Sequence, residues 1–225
     1  MKPISIAIDG PSGAGKSTLA RSVAARLGFL YVDTGAIYRT IAYDVLQRGI
    51  DPGDEAAVLE SLPQLELELS HGADGLQHML RNGEDVTDAI RLPEVSMCAS
   101  VVSAYPGVRS FLLEMQRRIA AEHSVVMDGR DIGTVVLPDA TVKIYLTAQA
   151  EERARRRMLE LEQRGTPQPY EEILEDIRQR DWNDMHRAVA PLRQAEDAVL
   201  LDTTQLNFEE SEEALARLIE ERMRG

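Results

Sequence analysis

With 225 residues, 44% of them apolar and 28% charged, the chain is long enough to bury one substantial α/β core with insertions, and its composition excludes a disordered or fibrous protein. Its 25 Lys and Arg against 38 Asp and Glu leave a net charge of −13, which argues against a general nucleic-acid binder. No apolar run reaches membrane-spanning length, Asp9 interrupts the apolar stretch that follows Lys2, so no secretory signal is expected, and the lone Cys98 excludes an internal disulfide and fits a reducing, cytoplasmic compartment.

The first predicted strand is Ile4-Ser5-Ile6-Ala7-Ile8-Asp9. It runs directly into Gly10-Pro11-Ser12-Gly13-Ala14-Gly15-Lys16-Ser17, a full match to the phosphate-binding loop pattern. Glycines at this spacing let backbone N–H groups close around a phosphate, and the following helix adds the positive end of its dipole. Lys16 is placed to reach the outer phosphates and the Ser17 hydroxyl to hold Mg²⁺. Leu19, Val23, Ala24 and Leu27 recur at helical spacing, and Gly28 ends the helix. Strand, loop and helix are in the order that a nucleoside-triphosphate site requires.

A second strand is expected over Phe29–Asp33 and a helix from about Ala36 to Arg48. Leu65, Leu67 and Leu69 alternate with Glu66 and Glu68, which is strand periodicity, and Leu76–Leu80 reads as its partner. Asn82-Gly83 then makes a tight hairpin turn leading to Val86. Helices are expected from Pro93 to Ser103 and from Pro106 to Glu122. Buried strands are expected at Ser124–Asp128 and Val142–Leu146, a charged helix from Glu151 to Arg164, and another from Tyr170 to about Arg180. The last strand is placed at Ala198–Asp202 and a closing helix at Glu209–Arg222. Alternating strands and helices imply a parallel sheet, with ligands at the carboxyl ends of its strands.

Of the 25 cations, 22 are arginine; lysine occurs only at positions 2, 16 and 143. Arg39 and Arg130 fall close after strand ends, and 180, 184 and 187 are spaced to share one helical face. If these converge they form a second anion site, because the planar guanidinium pairs with phosphate oxygens in two places. This bears on the reaction. A hydroxyl acceptor needs a base, whereas a phosphate acceptor is already ionised and needs cations that suppress repulsion and align it. Many arginines with few evident bases favour the phosphate acceptor. Arg153, Arg155, Arg156 and Arg157, on a helix that breaks at Gly165-Thr166-Pro167, read as a lid over the triphosphate rather than a helix laced by ion pairs. A guanine-binding switch protein would need Asn-Lys-x-Asp, and none of Asn82, Asn183 or Asn207 precedes a lysine. The four histidines lack ligand spacing, so no structural metal is expected.

Ile8–Thr18, Asp33-Thr34-Gly35-Ala36-Ile37-Tyr38-Arg39, Asp128-Gly129-Arg130-Asp131-Ile132-Gly133-Thr134-Val135-Val136 and Arg187-Ala188-Val189-Ala190-Pro191-Leu192 together resemble the bacterial cytidylate kinase family of nucleoside-monophosphate kinases. The first stretch is shared with many ATP users; the others are particular to this family. The resemblance implies an α/β P-loop kinase fold, with a central parallel sheet flanked by helices. The core would comprise 1–35, 106–150 and 173–225. An inserted monophosphate-binding region with a small antiparallel sheet would occupy 36–105, and a short lid 151–172.

It also implies transfer of the γ-phosphate of ATP to CMP, and to dCMP, in pyrimidine nucleotide metabolism. By position, Gly10, Pro11, Ser12, Gly13, Ala14, Gly15, Lys16, Ser17 and Thr18 bind ATP. Ser17 would hold Mg²⁺, with Asp128 acting directly or through water. Thr34 lies in the acceptor motif, while Arg39, Arg130 and Arg187 clamp the acceptor phosphate. Ser100, Arg109 and Asp131 read cytosine, whose exocyclic amine needs an acceptor and whose ring nitrogen and carbonyl need donors. Arg180 and Asp184 touch the sugar. Lys16, Arg130, Arg153 and Arg157 carry the transition-state charge. The substrates are small nucleotides, with neither nucleic acid nor membrane as partner, and a monomer is expected.

Overall fold

The structure is a computed structural model that describes residues 2–72, 76–163 and 165–224. In chain order its elements are β1 (Ser5–Asp9), α1 (Lys16–Leu27), β2 (Leu30–Asp33), α2 (Thr34–Gln47), α3 (Glu55–Ser61), β3 (Leu67–His71), β4 (Gln77–Arg81), β5 (Glu84–Asp85), α4 (Pro93–Val102), α5 (Pro106–Glu122), β6 (Val125–Gly129), β7 (Val142–Thr147), α6 (Ala150–Gln163), α7 (Tyr170–His186), β8 (Val199–Asp202) and α8 (Phe208–Arg224). They divide into two compact units, one of residues 1–30 with 123–225 and one of residues 31–122.

The first unit is built on a five-stranded sheet of order β2-β6-β1-β7-β8, which β2 joins at Leu30, whose N–H donates to Ser124 O at 2.9 Å. β1 pairs in parallel with β6 and with β7, and β7 with β8. The central strands are buried on both faces, as a parallel sheet with covered faces requires. That accounts for the unbroken apolar runs of β1 and β6. Because Asp9 lies opposite Gly129 and Tyr145 in register, the carboxyl ends of β1, β6 and β7 meet at one edge. On one side α8 inserts Leu215, Ala216 and Ile219 into the core, and Arg26 of α1 pairs with Glu213 at 3.0 Å.

In the second unit β3, β4 and β5 form an antiparallel sheet. Asn82 and Gly83 have φ of 50 and 81, the doubly left-handed turn that joins two strands without splaying them. The sheet is tied to α2 by the buried Asp44 carboxylate, which accepts from Arg48 Nε and from Arg81 Nε, each at 2.7 Å.

Several boundaries differ from the sequence reading. Helix α2 begins at Thr34, two residues early, because Asp33 caps it by accepting from Ala36 N at 2.9 Å. Helix α3, capped by Asp54, is too short for periodicity to reveal. A single π-turn spans Ile132–Val136, and α7 continues past Arg180 to His186. Arg187 follows α7 as its C-cap, with φ −62 and ψ 143, so the helix stops there while its N–H still donates to Asn183 O at 3.0 Å, and Arg180 and Arg187 both act on the Asp184 carboxyl. The charged helix ends at Gln163; Arg164, its expected last residue, lies outside the described residues.

Candidate active site

In the first unit the loop between β1 and α1 turns through three glycines of positive φ, Gly10 (153), Gly13 (74) and Gly15 (85). At Gly10 a Cβ would lie 1.9 Å from the Leu146 carbonyl oxygen, so no other residue fits there. Gly15 caps α1 with no side-chain hydrogen bond, which leaves the first amides of the helix open to an anion.

Lys16 is buried and donates to Pro11 O at 2.7 Å. Burial, and next the neighbouring Arg130, lower its ammonium to about 7. Ser17 Oγ donates to Asp128 Oδ2 at 2.9 Å. This hydroxyl and carboxylate at the end of β6 are the hard oxygen donors that suit Mg²⁺, whose remaining positions water and phosphate usually fill. Asp9 ends β1, and its two oxygens accept from Ile132 N and Gly133 N, each at 2.7 Å. That bidentate bond organises the π-turn behind Arg130 and Asp131. Burial pushes the Asp9 carboxyl up to about 6, against the pull of the Gly133 and Ile132 amides.

Four further cations surround the strand ends. Arg130 Nε donates to Asp184 Oδ2 at 2.7 Å. Burial works against both ionised forms, but each partner holds the other charged: Asp184 stays below the usual carboxylate range and Arg130 is raised. Arg187 Nε donates to Ala190 O at 2.7 Å, and its Nη2 lies 3.6 Å from Asp131 Oδ1. Arg180 is half-buried on α7 and contributes to the low value of Asp184.

Arg153 is deeply buried. Its Nε donates to Ala148 O at 2.8 Å, its Nη1 to Ser12 O at 2.9 Å, and the guanidinium forks onto both oxygens of Asp181. It is thereby bonded to the phosphate loop itself. Arg157 pairs with Glu160 at 2.8 Å at the surface, and Arg155 and Arg156 both reach Glu152. Two groups here escaped the sequence reading as functional parts, Asp9 and Asp181. An acid closing the strand before Gly10 was a visible signal for the first. Nothing local marked the second, which meets Arg153 from the next helix.

In the second unit Arg39 Nη2 donates to Asp33 Oδ2 at 2.9 Å. Gly35 makes room for this pair, since a Cβ there would lie 3.0 Å from both Arg39 Nη1 and Asp33 Oδ1. Thr34 is buried at the start of α2. Arg109 is buried on α5, donates to Ser103 O at 3.0 Å and lies over the Tyr38 ring at 5.4 Å. Ser103 Oγ in turn donates to Ser100 O at 3.3 Å. Arg109 and Ser100 are therefore linked through one residue at the end of α4, and Tyr38 connects Arg109 to the turn that carries Arg39.

The sequence profile of the cytidylate kinase family matches residues 6–221. A cytidylate kinase of Caldicellulosiruptor bescii is 51% identical over 93% of this chain and 92% of its own length. One from Desulfitobacterium hafniense is 50% identical over 99% and 95%, and one from Anoxybacillus flavithermus 47% over 100% and 99%. The fold is also that of an uncharacterized protein from Eubacterium ventriosum, with a TM-score of 0.53 and 14% identity over 99% of each chain. A full-length match to the family profile, about half identity to its curated members, and a phosphate loop backed by paired arginines agree: the chain belongs to the cytidylate kinase family.

Proposed function

We propose that the protein transfers the γ-phosphoryl group of ATP to CMP, and to dCMP, forming ADP with CDP or dCDP. The observation that carries this reading is the state of the carboxylates around the phosphate loop. Asp184 is held ionised by Arg130, Asp128 accepts from Ser17, and both oxygens of Asp9 are occupied by backbone amides. None is a free base for a hydroxyl acceptor, while Arg130 and Arg187 stand at the same strand ends as an anion site would need. In the second unit, Arg39 Nε is buried without a hydrogen bond among the described residues, a donor that an acceptor phosphate would satisfy.

In this reading Gly10, Pro11, Ser12, Gly13, Ala14, Gly15, Lys16, Ser17 and Thr18 hold the triphosphate. Ser17 and Asp128 would hold Mg²⁺, which when bound neutralises charge on the outer phosphate oxygens. Arg39, Arg130 and Arg187 orient the acceptor phosphate for in-line displacement at the γ-phosphorus. Ser100, Arg109 and Asp131 read cytosine; uracil would set a carbonyl against the acid and leave it unpaired. Arg180 and Asp184 contact the sugar, and Thr34 lies at the acceptor. Arg153 and Arg157 spread charge in the transition state, Arg153 from a guanidinium already bonded to the loop. Residues 151–172 act as the lid, 36–105 as the monophosphate-binding insertion, and the remainder as the core. The protein works as a cytoplasmic monomer without a nucleic-acid partner; among the described residues no helix is long and apolar enough to cross a membrane.

The test is ADP formation from ATP and Mg²⁺ with CMP, dCMP, UMP, AMP and GMP in separate assays. Turnover of CMP and dCMP with little of UMP is expected. Equal turnover of UMP would remove Asp131 and Ser100 as discriminators, and inactivity on every monophosphate would overturn the phosphate-acceptor reading.

A further inference from the structure

Within the second unit, the far end of the β3–β4 hairpin makes a contact that neither the loop motif nor the arginines account for. His71 and Gln77 face each other in register across the two strands, where Gly72 N donates to Leu76 O at 3.0 Å. Both side chains reach the backbone of residues 31–33. His71 Nε2 lies 2.9 Å from Tyr31 O. Gln77 Oε1 accepts from Asp33 N at 2.8 Å, and Gln77 Nε2 donates to Asp33 O at 3.2 Å. One side-chain amide thus grips both polar groups of one residue, as a neighbouring strand would. Only Asn and Gln carry acceptor and donor together in this geometry; a Glu would set a second acceptor against Asp33 O.

The gripped residue is the one that aims Arg39. Asp33 Oδ1 caps α2 through Ala36 N, and Oδ2 pairs with Arg39 Nη2, each at 2.9 Å. With its backbone held from outside and its carboxylate committed at both oxygens, Asp33 fixes where the first turn of α2 presents that guanidinium. We propose that Gln77, supported by His71, is a positioning residue for acceptor recognition: the small sheet sets the affinity for the monophosphate by holding Asp33, and through it Arg39. This rests on the reading of Arg39 as a contact to the acceptor phosphate.

The experiment is a steady-state double-mutant cycle on the full chain with Gln77→Met and Arg39→Ala, following KM for CMP, KM for ATP and kcat. Gln77→Met, which keeps shape but loses both bonds, is expected to raise KM for CMP about tenfold, the size of one or two hydrogen bonds. The KM for ATP and kcat are expected to stay within about twofold. In the Arg39→Ala background Gln77→Met should add little, since both changes act on one contact. Amide hydrogen exchange at Asp33 should quicken in Gln77→Met while the β3–β4 amides keep their protection. Gln77→Asn keeps donor and acceptor on a side chain one methylene shorter, and a smaller shift in the same direction is expected should the Met variant fold poorly.

A raised KM for CMP in Arg39→Ala with an unmoved one in Gln77→Met overturns the positioning role alone. Fully additive effects, unchanged exchange at Asp33, or a fall in kcat and melting temperature with KM for CMP unmoved overturn it equally. An unmoved KM for CMP in Arg39→Ala overturns the assignment of Arg39, and the role of Gln77 with it.

Discussion

Two turns in this molecule begin alike and end differently. β1 and β2 each finish on an aspartate, and each is followed by a helix. After Asp9 the chain spends six residues in a glycine-rich loop, and α1 starts from a glycine with no side-chain cap. After Asp33 the helix starts at once, and the aspartate caps it. The first helix end leaves its amides without a side-chain cap; the second is capped by its own aspartate, which also pairs with Arg39. The carboxylates follow suit. Asp9 reaches 123 residues along the chain to Ile132, whereas Asp33 reaches three and six residues to Ala36 and Arg39. Backbone amides suit a phosphate shared by many ligands, while an aimed guanidinium suits one acceptor in one position.

The strongest way to break the contrast is to fill the open turn. Gly10→Ala sets a Cβ against Leu146 O at a φ of 153, and a loss of about 3 kcal/mol or more is expected, from backbone strain and overpacking together. Thermal unfolding should show it, with ATP binding lost in whatever remains folded. An unaltered melting temperature would mean that the loop is not held against β7.

Next comes the cation inside the turn. Lys16→Met should lower kcat/KM on the order of a hundredfold or more without lowering stability at neutral pH. The reason is the sign of its shift. A lysine lowered to about 7 in the fold from an ordinary 10.5 burdens the folded state fully below about pH 7, and the burden lifts as pH rises towards 10.5. The same shift predicts that ATP binding near pH 8 draws close to one proton onto Lys16 and that binding near pH 6 draws none there. Calorimetry in buffers of different ionisation enthalpy, with Lys16→Met as reference, would measure it; equal uptake in both proteins would remove Lys16 as its source.

The smallest change sharpens the closed turn. Asp33→Asn keeps an acceptor for Ala36 N but removes the charge facing Arg39. It should cost about 1 kcal/mol or less in stability, because the pair is partly exposed, with a rise of a few-fold in KM for CMP and none in KM for ATP. A matching rise in KM for ATP would show that the two turns do not act separately.

These differences explain what was readable in advance. The open turn is written in consecutive residues, a contiguous motif of glycines, lysine and serine, so Gly10–Thr18 could be recognised with no knowledge of the rest. Arg39, Arg130 and Arg187 stood out as candidates because motifs surround them. The long-range pairings did not stand out. Asp181 meets Arg153 from 28 residues away, Asp184 meets Arg130 from 54, and Gln77 meets Asp33 from 44. No periodicity records such pairings.

By itself the sequence determined the α/β class, most of the strands and helices in their order, the phosphate-loop motif and the family. Apolar runs, helical spacing and a contiguous anion cradle are local properties that survive without a fold. Only the tertiary structure decided which carboxylates are spent on arginines and amides, that Arg153 is bonded to the loop it was expected to cover, and that a small sheet grips Asp33. Those outcomes depend on burial and on meetings between distant segments, where desolvation sets both the charge state of a group and the partner it must find.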